Sequence, residues 1–372
     1  AVREAFSSPV LQQARRRIQQ TLESTRPADA DVKPRLLYVI SSWSGGVPQT
    51  NQDLMRALAE QAETFVLHCD ARRMSLYFYE HGDYVQLQDH ELKAPIQAFP
   101  HTSGEYDETV ARWLIRYGLE LVHIRHIAWH SLGLVPTAKS LGLPVVFSVH
   151  DFYVICPTVK LLDENLRFCG GRCTSSQGWC RPELWTYPEF PSLKHGAIRT
   201  WQQSLLDMLG ACDALVSTTQ HVRDLVLQIY PALQAKPFEI IPHGRDFQDV
   251  TQLASSLQPN GLLRILIPGN ISLAKGGGIL ADLIQMAGER AIELHVMGKV
   301  AAELGLGSAV VLHGPYLRED FAQKVQEIKP HLGGIFSIWP ETHSHTLTEL
   351  WSCGLPVLGF DLGAVGERIR QT

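Results

Sequence analysis

Two glutamates late in the chain, Glu341 and Glu349, bracket a short polar run, Thr342-His343-Ser344-His345-Thr346. Before them, Gly334 to Trp339 is an apolar stretch with β-branched and aromatic residues that reads as a buried parallel strand, stopped by Pro340. After them, Thr346 to Trp351 has the spacing of a helix, closed by Gly354 and Pro356, and Pro356 to Phe360 reads as the next strand. A loop between strand and helix turns backbone N–H groups and a positive helix end toward whatever lies above the sheet. That is an anion site, with phosphate the usual occupant. A lysine belongs to the same chemistry: Lys275 sits at the mouth of a glycine-rich strand-to-helix turn, Gly269-Asn270 to Gly276-Gly277-Gly278. Its compact ammonium beside backbone N–H groups suits a diphosphate. The P-loop spacing is missing, so this is not a nucleotide triphosphatase signature.

Two further groups of residues stand out. His150-Asp151 ends the apolar run Val145 to Val149, and ligand-binding residues gather at the carboxyl ends of parallel strands. Asp151 is expected to orient the imidazole, with capping or a salt bridge as the plain alternative. Cys156, Cys169, Cys173 and Cys180 lie in a long segment with little apolar periodicity, 151–195, which needs a staple. Four thiolates satisfy tetrahedral zinc, and in a reducing compartment metal is favoured over disulfides; structural zinc, disulfides and free thiols all remain open. Trp179, Trp185, Tyr187 and Phe190 in the same segment either stack on sugar rings or pack against their own domain. His123, His126 and His130 are read first as core or surface residues, with a place in the same cleft as the alternative.

The elements that must position these residues alternate strand and helix. Residues 1–34 are an amphipathic helix with a proline-marked linker. That helix carries Arg15-Arg16-Arg17, so peripheral membrane contact is open to it, although packing on its own protein is favoured. Residues 35–245 open with the strand Arg35 to Ile40, the paired glycines Gly45-Gly46 and a helix from Gln49 to Ala62, the start of a doubly wound α/β domain. Strands follow at 64–68, 121–124, 144–149, 214–217 and 238–241, with helices at 107–117, 131–141, 197–210 and 220–230. Met74 to Leu87 reads as a hairpin. Residues 246–372 form a second such domain, with strands at 263–268, 292–297 and 310–313. The G-x-G-x-x-G fingerprint of dinucleotide binding is absent.

The ordered set Glu341, Glu349, Gly354-Leu355-Pro356-Val357 and Gly363-Ala364-Val365-Gly366-Glu367 resembles the retaining nucleotide-sugar glycosyltransferases of the GT-B fold. More narrowly, it is similar to family 4 of the bacterial polysaccharide and O-antigen type. His150-Asp151-Phe152, Cys156-Pro157, Leu162-Asp163 and Lys275-Gly276 match further family segments. The resemblance implies two Rossmann-like domains facing a cleft. It implies a nucleoside diphosphate sugar as donor, a glycan or lipid-linked glycan as acceptor, and no cofactor required for catalysis. Carried over residue by residue, it assigns His150, Asp151, Lys275 and Glu341 to catalysis. Donor binding goes to Gly45, Gly46, Asn270, Lys275, Gly298, Tyr316, His343, Ser344, His345, Thr346 and Glu349. One departure stands out: Asn270 replaces the family arginine, so one of two cations at the leaving diphosphate is missing, with Arg245 or Arg264 as substitutes. The chain stops at Thr372, where the resembling family continues with another strand and helices, so the second domain is expected to be truncated, and further domains of the same polypeptide are left open.

Composition bounds the alternatives. The chain has 372 residues, 45% hydrophobic and 19% charged, enough for two ordinary domains. A net charge of −5 argues against nucleic acid as partner. No apolar run is long enough to span a bilayer, no signal peptide is evident at Ala1, and seven cysteines suit a reducing compartment. The expected location is the cytoplasm, at the inner face of the membrane where acceptors are lipid-linked. Glycoside hydrolysis by the two glutamates is disfavoured, because a helix of that spacing rises about 12 Å against the ~5–9.5 Å that paired carboxylates need. A sugar-nucleotide epimerase and a non-catalytic nucleotide- or glycan-binding domain are the remaining competitors.

Overall fold

The computed structural model describes residues 33–185, 194–245, 252–256, 261–287, 292–306 and 310–372. The N-terminal helix, Tyr187 and Phe190 lie outside them. Two compact units emerge. One comprises the described residues of Ala1–Pro157, Pro182–Ser217 and Leu227–Gly244; the other those of Thr158–Arg181, Thr218–Val226 and Arg245–Thr372. Part of the cysteine-bearing segment therefore packs with the second unit.

In chain order the first sheet is built from β1 (Arg35–Ile40), β2 (Glu63–Cys69), β3 (Arg73–Glu80), β4 (Asp83–Glu91), β5 (Leu121–Ile124), β6 (Val145–Ser148), β7 (Ala214–Ser217) and β8 (Phe238–Ile240). Their spatial order is β4-β3-β2-β1-β5-β6-β7-β8. All neighbours are parallel except the β2-β3-β4 meander, which contains the hairpin read from its Tyr and Phe content. The helices are α1 (Gly46–Ala57), α2 (Gly104–Arg116), α3 (Leu134–Ser140), α4 (Gly196–Ala211) and α5 (Gln220–Ile229). Here α2 starts three residues before the helix read at 107–117, because the Ser103 hydroxyl accepts from the Tyr106 N–H and Glu105 and Asp107 sit in its first turn. Strand order reverses between β1 and β5, so the carboxyl ends of β1, β5 and β6 form a crevice of the kind that binds ligands.

The second sheet runs β11-β10-β9-β12-β13 and is wholly parallel. It comprises β9 (Leu263–Pro268), β10 (Ile292–Met297), β11 (Val311–Leu312), β12 (Leu332–Ile335) and β13 (Val357–Gly359), with α6 (Gly277–Ala287), α7 (Phe321–Ile328), α8 (His345–Ser352) and α9 (Gly363–Arg370) around it. Alternate residues of β9 feed separate cores. Ile265 and Ile267 pack with Leu280 and Val296, while Leu266 packs with Val325, Leu347 and Leu350. A parallel sheet covered on both faces explains why these strands read as continuous apolar runs. β12 begins earlier and ends sooner than its apolar run suggested. Phe336 to Trp339 have left the ladder. No helix among the described residues is long and apolar enough to cross a membrane.

Candidate active site

In the second unit the order reverses between β9 and β12, and both strands end in loops that interlock. Gly298, after β10, has φ 148°, and a Cβ there would lie 2.1 Å from the Gly269 carbonyl oxygen after β9. Across this approach the Lys299 N–H donates to Asn270 Oδ1 at 3.0 Å and the Ile271 N–H to the Lys299 carbonyl at 2.7 Å. Gly298 is thus a close-packing glycine, and Asn270 ties two turns together. At Gly276 (φ 85°) a Cβ would lie 2.2 Å from the Phe336 carbonyl oxygen. That contact carries Lys275 onto the segment after β12.

There Lys275 Nζ meets Glu341 Oε1 at 2.6 Å and lies 5.6 Å from the centre of the Trp339 ring. Glu341 is buried, and the Ser337 and Ser344 hydroxyls also donate to it. Burial pushes its carboxyl pKa up. The Lys275 charge, with the hydrogen bonds from Lys275, Ser337 and Ser344, outweighs that and holds it below the ordinary value. Glu341 is therefore an anion at neutral pH, acceptor-only, fixed beneath the loop.

That loop carries a left-handed residue, Ser344 at φ 67°, at the start of α8, whose first turn has no side-chain cap. First-turn N–H groups lack intrahelical acceptors. Arg368 of α9 holds the other side of these peptides, donating through Nη1 to the His343 and Ser344 carbonyls (2.7 and 3.0 Å) and through Nη2 to Thr348 Oγ1 (2.8 Å). Its guanidinium also lies 5.1 Å from the Trp351 ring centre. Carbonyls drawn toward Arg368 fix the peptide orientation of the loop. The His343 and His345 rings stand 5.0 Å apart. One turn into α8, the buried Glu349 accepts from Arg245 Nη1 at 2.8 Å and from Tyr316 Oη at 2.7 Å. Burial and that carboxylate push the Tyr316 phenol well above its usual range. Arg264 faces elsewhere, donating to the Lys329 carbonyl at 2.9 Å.

In the first unit, Gly45 adopts φ 93° as the uncapped start of α1, and Gly46 is the first residue of that helix. His150 is half-buried and stacks on His243, rings 5.1 Å apart and 10° from parallel. Burial, with the nearby Arg125 charge, holds it neutral. Asp151 is placed differently from expectation. Its carboxylate accepts from His126 Nε2 at 2.9 Å and from the Tyr153 N–H at 2.9 Å, so the imidazole it orients is that of His126. His126 Nδ1 in turn meets Ser41 Oγ at 2.9 Å. His123 and His130 are core residues held neutral by burial, with pKa values pushed down to about 3.

Residues 44–249 match the family described as Glycosyltransferase Family 4. The chain belongs to glycosyltransferase family 4. Solved structures agree on the fold. HepE from Anabaena, in complex with UDP and glucose, aligns with a TM-score of 0.52 at 14% identity, covering 90% of this chain and 82% of that one. Sucrose-phosphate synthase from Thermosynechococcus elongatus aligns with a TM-score of 0.55 at 15% identity over the same shares. The pneumococcal O-GlcNAc transferase GtfA, in complex with UDP and GlcNAc, gives 0.51 at 11% identity, covering 89% and 84%. At these identities the likeness is one of fold, GT-B. No curated protein matches the chain in sequence.

For this family 4 glycosyltransferase the structure brings Lys275, Glu341 and Ser344 together, joins Tyr316 to Glu349, and ties Asn270 into a turn. The first unit holds Gly45, Gly46, His150 and Asp151. Glu367, the last residue of the ordered set, accepts from the Gln220 and His221 N–H groups at 2.9 and 2.7 Å and caps α5. Among the described residues no group of His, Cys, Asp and Glu is arranged to hold a metal ion, and no disulfide joins the cysteines. The staple of that segment is Asp163, which accepts from the Asn165 and Arg167 N–H groups at 2.9 Å each and from Thr174 Oγ1 at 3.0 Å. Trp185 is a packing residue, its Nε1 donating to Tyr153 Oη at 2.9 Å. Sequence reasoning missed Arg368 and Ser337, which have no spacing signal, and ranked His126 below His150.

Proposed function

We propose that this chain transfers a sugar from a nucleoside diphosphate sugar to a hydroxyl of a glycan or lipid-linked glycan, with retention at the anomeric carbon, in building a bacterial surface polysaccharide. The observation that carries the reading is the convergence of Lys275, Glu341 and the uncapped start of α8 at the reversal point of the second sheet. The chemical difficulty is charge: the bond from the anomeric carbon to the diphosphate breaks while that carbon becomes oxocarbenium-like. Lys275 and the N–H groups at His343 to Thr346 would stabilise the leaving diphosphate. Glu341 would accept from hydroxyls of the transferred sugar and Glu349 from the ribose, with Tyr316, Gly298 and Asn270 shaping the base and diphosphate pocket. The glycosidic bond forms to the acceptor oxygen, whose proton passes to a leaving phosphate oxygen on the same face, so the nucleoside diphosphate departs without a protein nucleophile. The first unit, through Gly45, Gly46, His150 and Asp151, would receive the acceptor. UDP in the HepE and GtfA structures supports UDP-sugars as the first donors to try. On this reading the protein works in the cytoplasm, at the inner membrane face when its acceptor is lipid-linked.

A second reading, a non-catalytic nucleotide-binding member of the family, draws on Asn270 being tied to the Lys299 N–H where the resembling family has a cation. Calorimetry with GDP-, UDP- and dTDP-sugars on the full chain, beside Lys275→Ala and Glu349→Ala, separates the two. Saturable binding of one nucleotide class, lost in both variants, with acceptor-dependent release of nucleoside diphosphate, supports transfer. Binding without release supports the second reading, and no binding across the panel removes both.

A further inference from the structure

We propose that Arg125 is the anion-binding centre of the first unit, taking a phosphate or carboxylate group carried by the acceptor. Arg125 follows β5 at the point where strand order reverses, and its side chain is 95% buried by the surrounding chain, at 5% exposure. A guanidinium has five N–H donors in a fixed fork. Here Nη1 reaches Ser148 Oγ only at 3.5 Å and Nη2 reaches Thr50 Oγ1 at 3.3 Å, the outer limit of a hydrogen bond. Both hydroxyls have better partners: Ser148 Oγ pairs with His123 Nε2 at 2.7 Å, and Thr50 Oγ1 donates to the Val47 carbonyl at 3.0 Å. The Arg125 Nε–H is buried with no acceptor among the described residues.

Among the described residues no carboxylate forms an ion pair with Arg125, whereas Arg35 is paired with Glu63 at 2.7 Å and Arg245 with Glu349 at 2.8 Å. A buried guanidinium without a counter-ion is strongly unfavourable. Burial does lower its pKa, to about 10, which leaves it charged at neutral pH. A small pocket beside it is lined by His126, Ser148, His150, Asp151 and Tyr153. Asp151 is turned away into its bonds with His126 and the Tyr153 N–H, and His123 and His150 are neutral. The charge left to be met is that of Arg125, and its fork matches the two oxygens of a carboxylate or phosphate. The subsite stands on the first unit alone; giving the anion to the acceptor rests on the transferase reading.

The test titrates the full chain, at constant ionic strength, with inorganic phosphate, D-glucuronate and D-glucose, following the Arg125 Nε–H signal, which is assigned by its loss in Arg125→Gln, together with nearby backbone amides. We expect saturable shifts with an anion, about tenfold or more weaker in Arg125→Gln, none with glucose, and UDP affinity by calorimetry the same in both proteins. The tighter of phosphate and glucuronate names the group. Arg125→Met, which removes an uncompensated charge at similar volume, should hold or raise the melting temperature. No saturable response to either anion, an equal response in Arg125→Gln, or a fall in melting temperature for Arg125→Met would overturn the proposal. Anion binding in a protein that binds no nucleotide would leave the subsite standing and remove the transferase reading.

Discussion

Lys275→Ala removes the cation beside a carboxylate that has little water. Glu341 is 5% exposed, and without Lys275 only the Ser337 and Ser344 hydroxyls oppose the burial that drives its pKa up. In the wild type the folded pKa is depressed, so the group's contribution to stability is full above the ordinary value of 4.5 and is lost as pH falls through the folded value. In the variant the sign reverses. A raised pKa destabilises the fold at neutral pH, and the deficit shrinks as pH falls through the raised value toward the unfolded one. Breaking a fully buried pair from one side costs about 3–5 kcal/mol. The Lys275 side chain is 36% exposed, so water already screens the pair, and about 2 kcal/mol is the expected loss. For a domain of this size that lowers the melting temperature by roughly 4–8 °C. Scanning calorimetry at pH 7.5 and pH 5 reads it, with the larger drop at pH 7.5. Adding Glu341→Gln, which removes the stranded charge, should restore most of the loss. Glu341→Gln alone should cost less than Lys275→Ala, because the released ammonium can turn into water. Equal drops at both pH values, or no recovery in the double variant, would refute the reasoning.

Gly298→Ala sets a Cβ 2.1 Å from the Gly269 carbonyl oxygen and should destabilise by about 3 kcal/mol or more in urea unfolding, whereas Gly305→Ala, at φ 56° with open space around it, should cost about 1 kcal/mol. Arg368→Ala frees the His343 and Ser344 carbonyls and should weaken nucleotide binding about tenfold by calorimetry. Lysine should not rescue it, since one ammonium does not span the three acceptors held by the fork. His101, His123 and His130 are each held neutral with pKa values of about 3. Their contribution is full above 6.5 and is lost as pH falls from 6.5 toward 3, by about 1.4 kcal/mol per pH unit for each. Both His101 ring nitrogens are buried without partners among the described residues, so His101→Phe should flatten that acid slope in pH-dependent unfolding while leaving stability at pH 7.5 unreduced.

The strands were legible because a sheet buried on both faces leaves a mark that survives in one sequence: β9 and β10 have the ends their apolar runs suggest. Where hydrogen bonding rather than apolarity ends a strand, the run misleads, and Phe336 to Trp339 are apolar for packing against Lys275 and α6 after the ladder has stopped. Glycines were read as ligand-facing when some are there for backbone contact; only the distance from Gly298 to the Gly269 carbonyl distinguishes the two. The same holds for polar pairs. Asp151 and His150 are neighbours in sequence, but the imidazole that Asp151 orients is that of His126, from the end of the adjacent strand. Asp163 staples its segment with three hydrogen bonds, a role for which zinc, disulfides and free thiols of the four cysteines had all stood open, and no composition reveals that.

Asn270 matters less as a missing cation than through what replaces it. In the second unit each glutamate of the pair already holds one cation, Lys275 on Glu341 and Arg245 on Glu349, so the pocket is balanced before any ligand arrives. A diphosphate entering such a pocket must draw a cation off a carboxylate, which leaves that carboxylate buried and in want of donors. On the transferase reading the sugar supplies them: its hydroxyls take the place of Lys275 at Glu341 while Lys275 turns to the phosphate. Donor sugar and diphosphate are then bound cooperatively, and a nucleoside diphosphate sugar should bind more tightly than the nucleoside diphosphate alone. Glu341→Gln, which has no charge to strand, should narrow that gap by raising affinity for the bare diphosphate. Calorimetry with both ligands on both proteins measures it, and a gap unchanged by the substitution would mean that Lys275 reaches the phosphate without leaving Glu341.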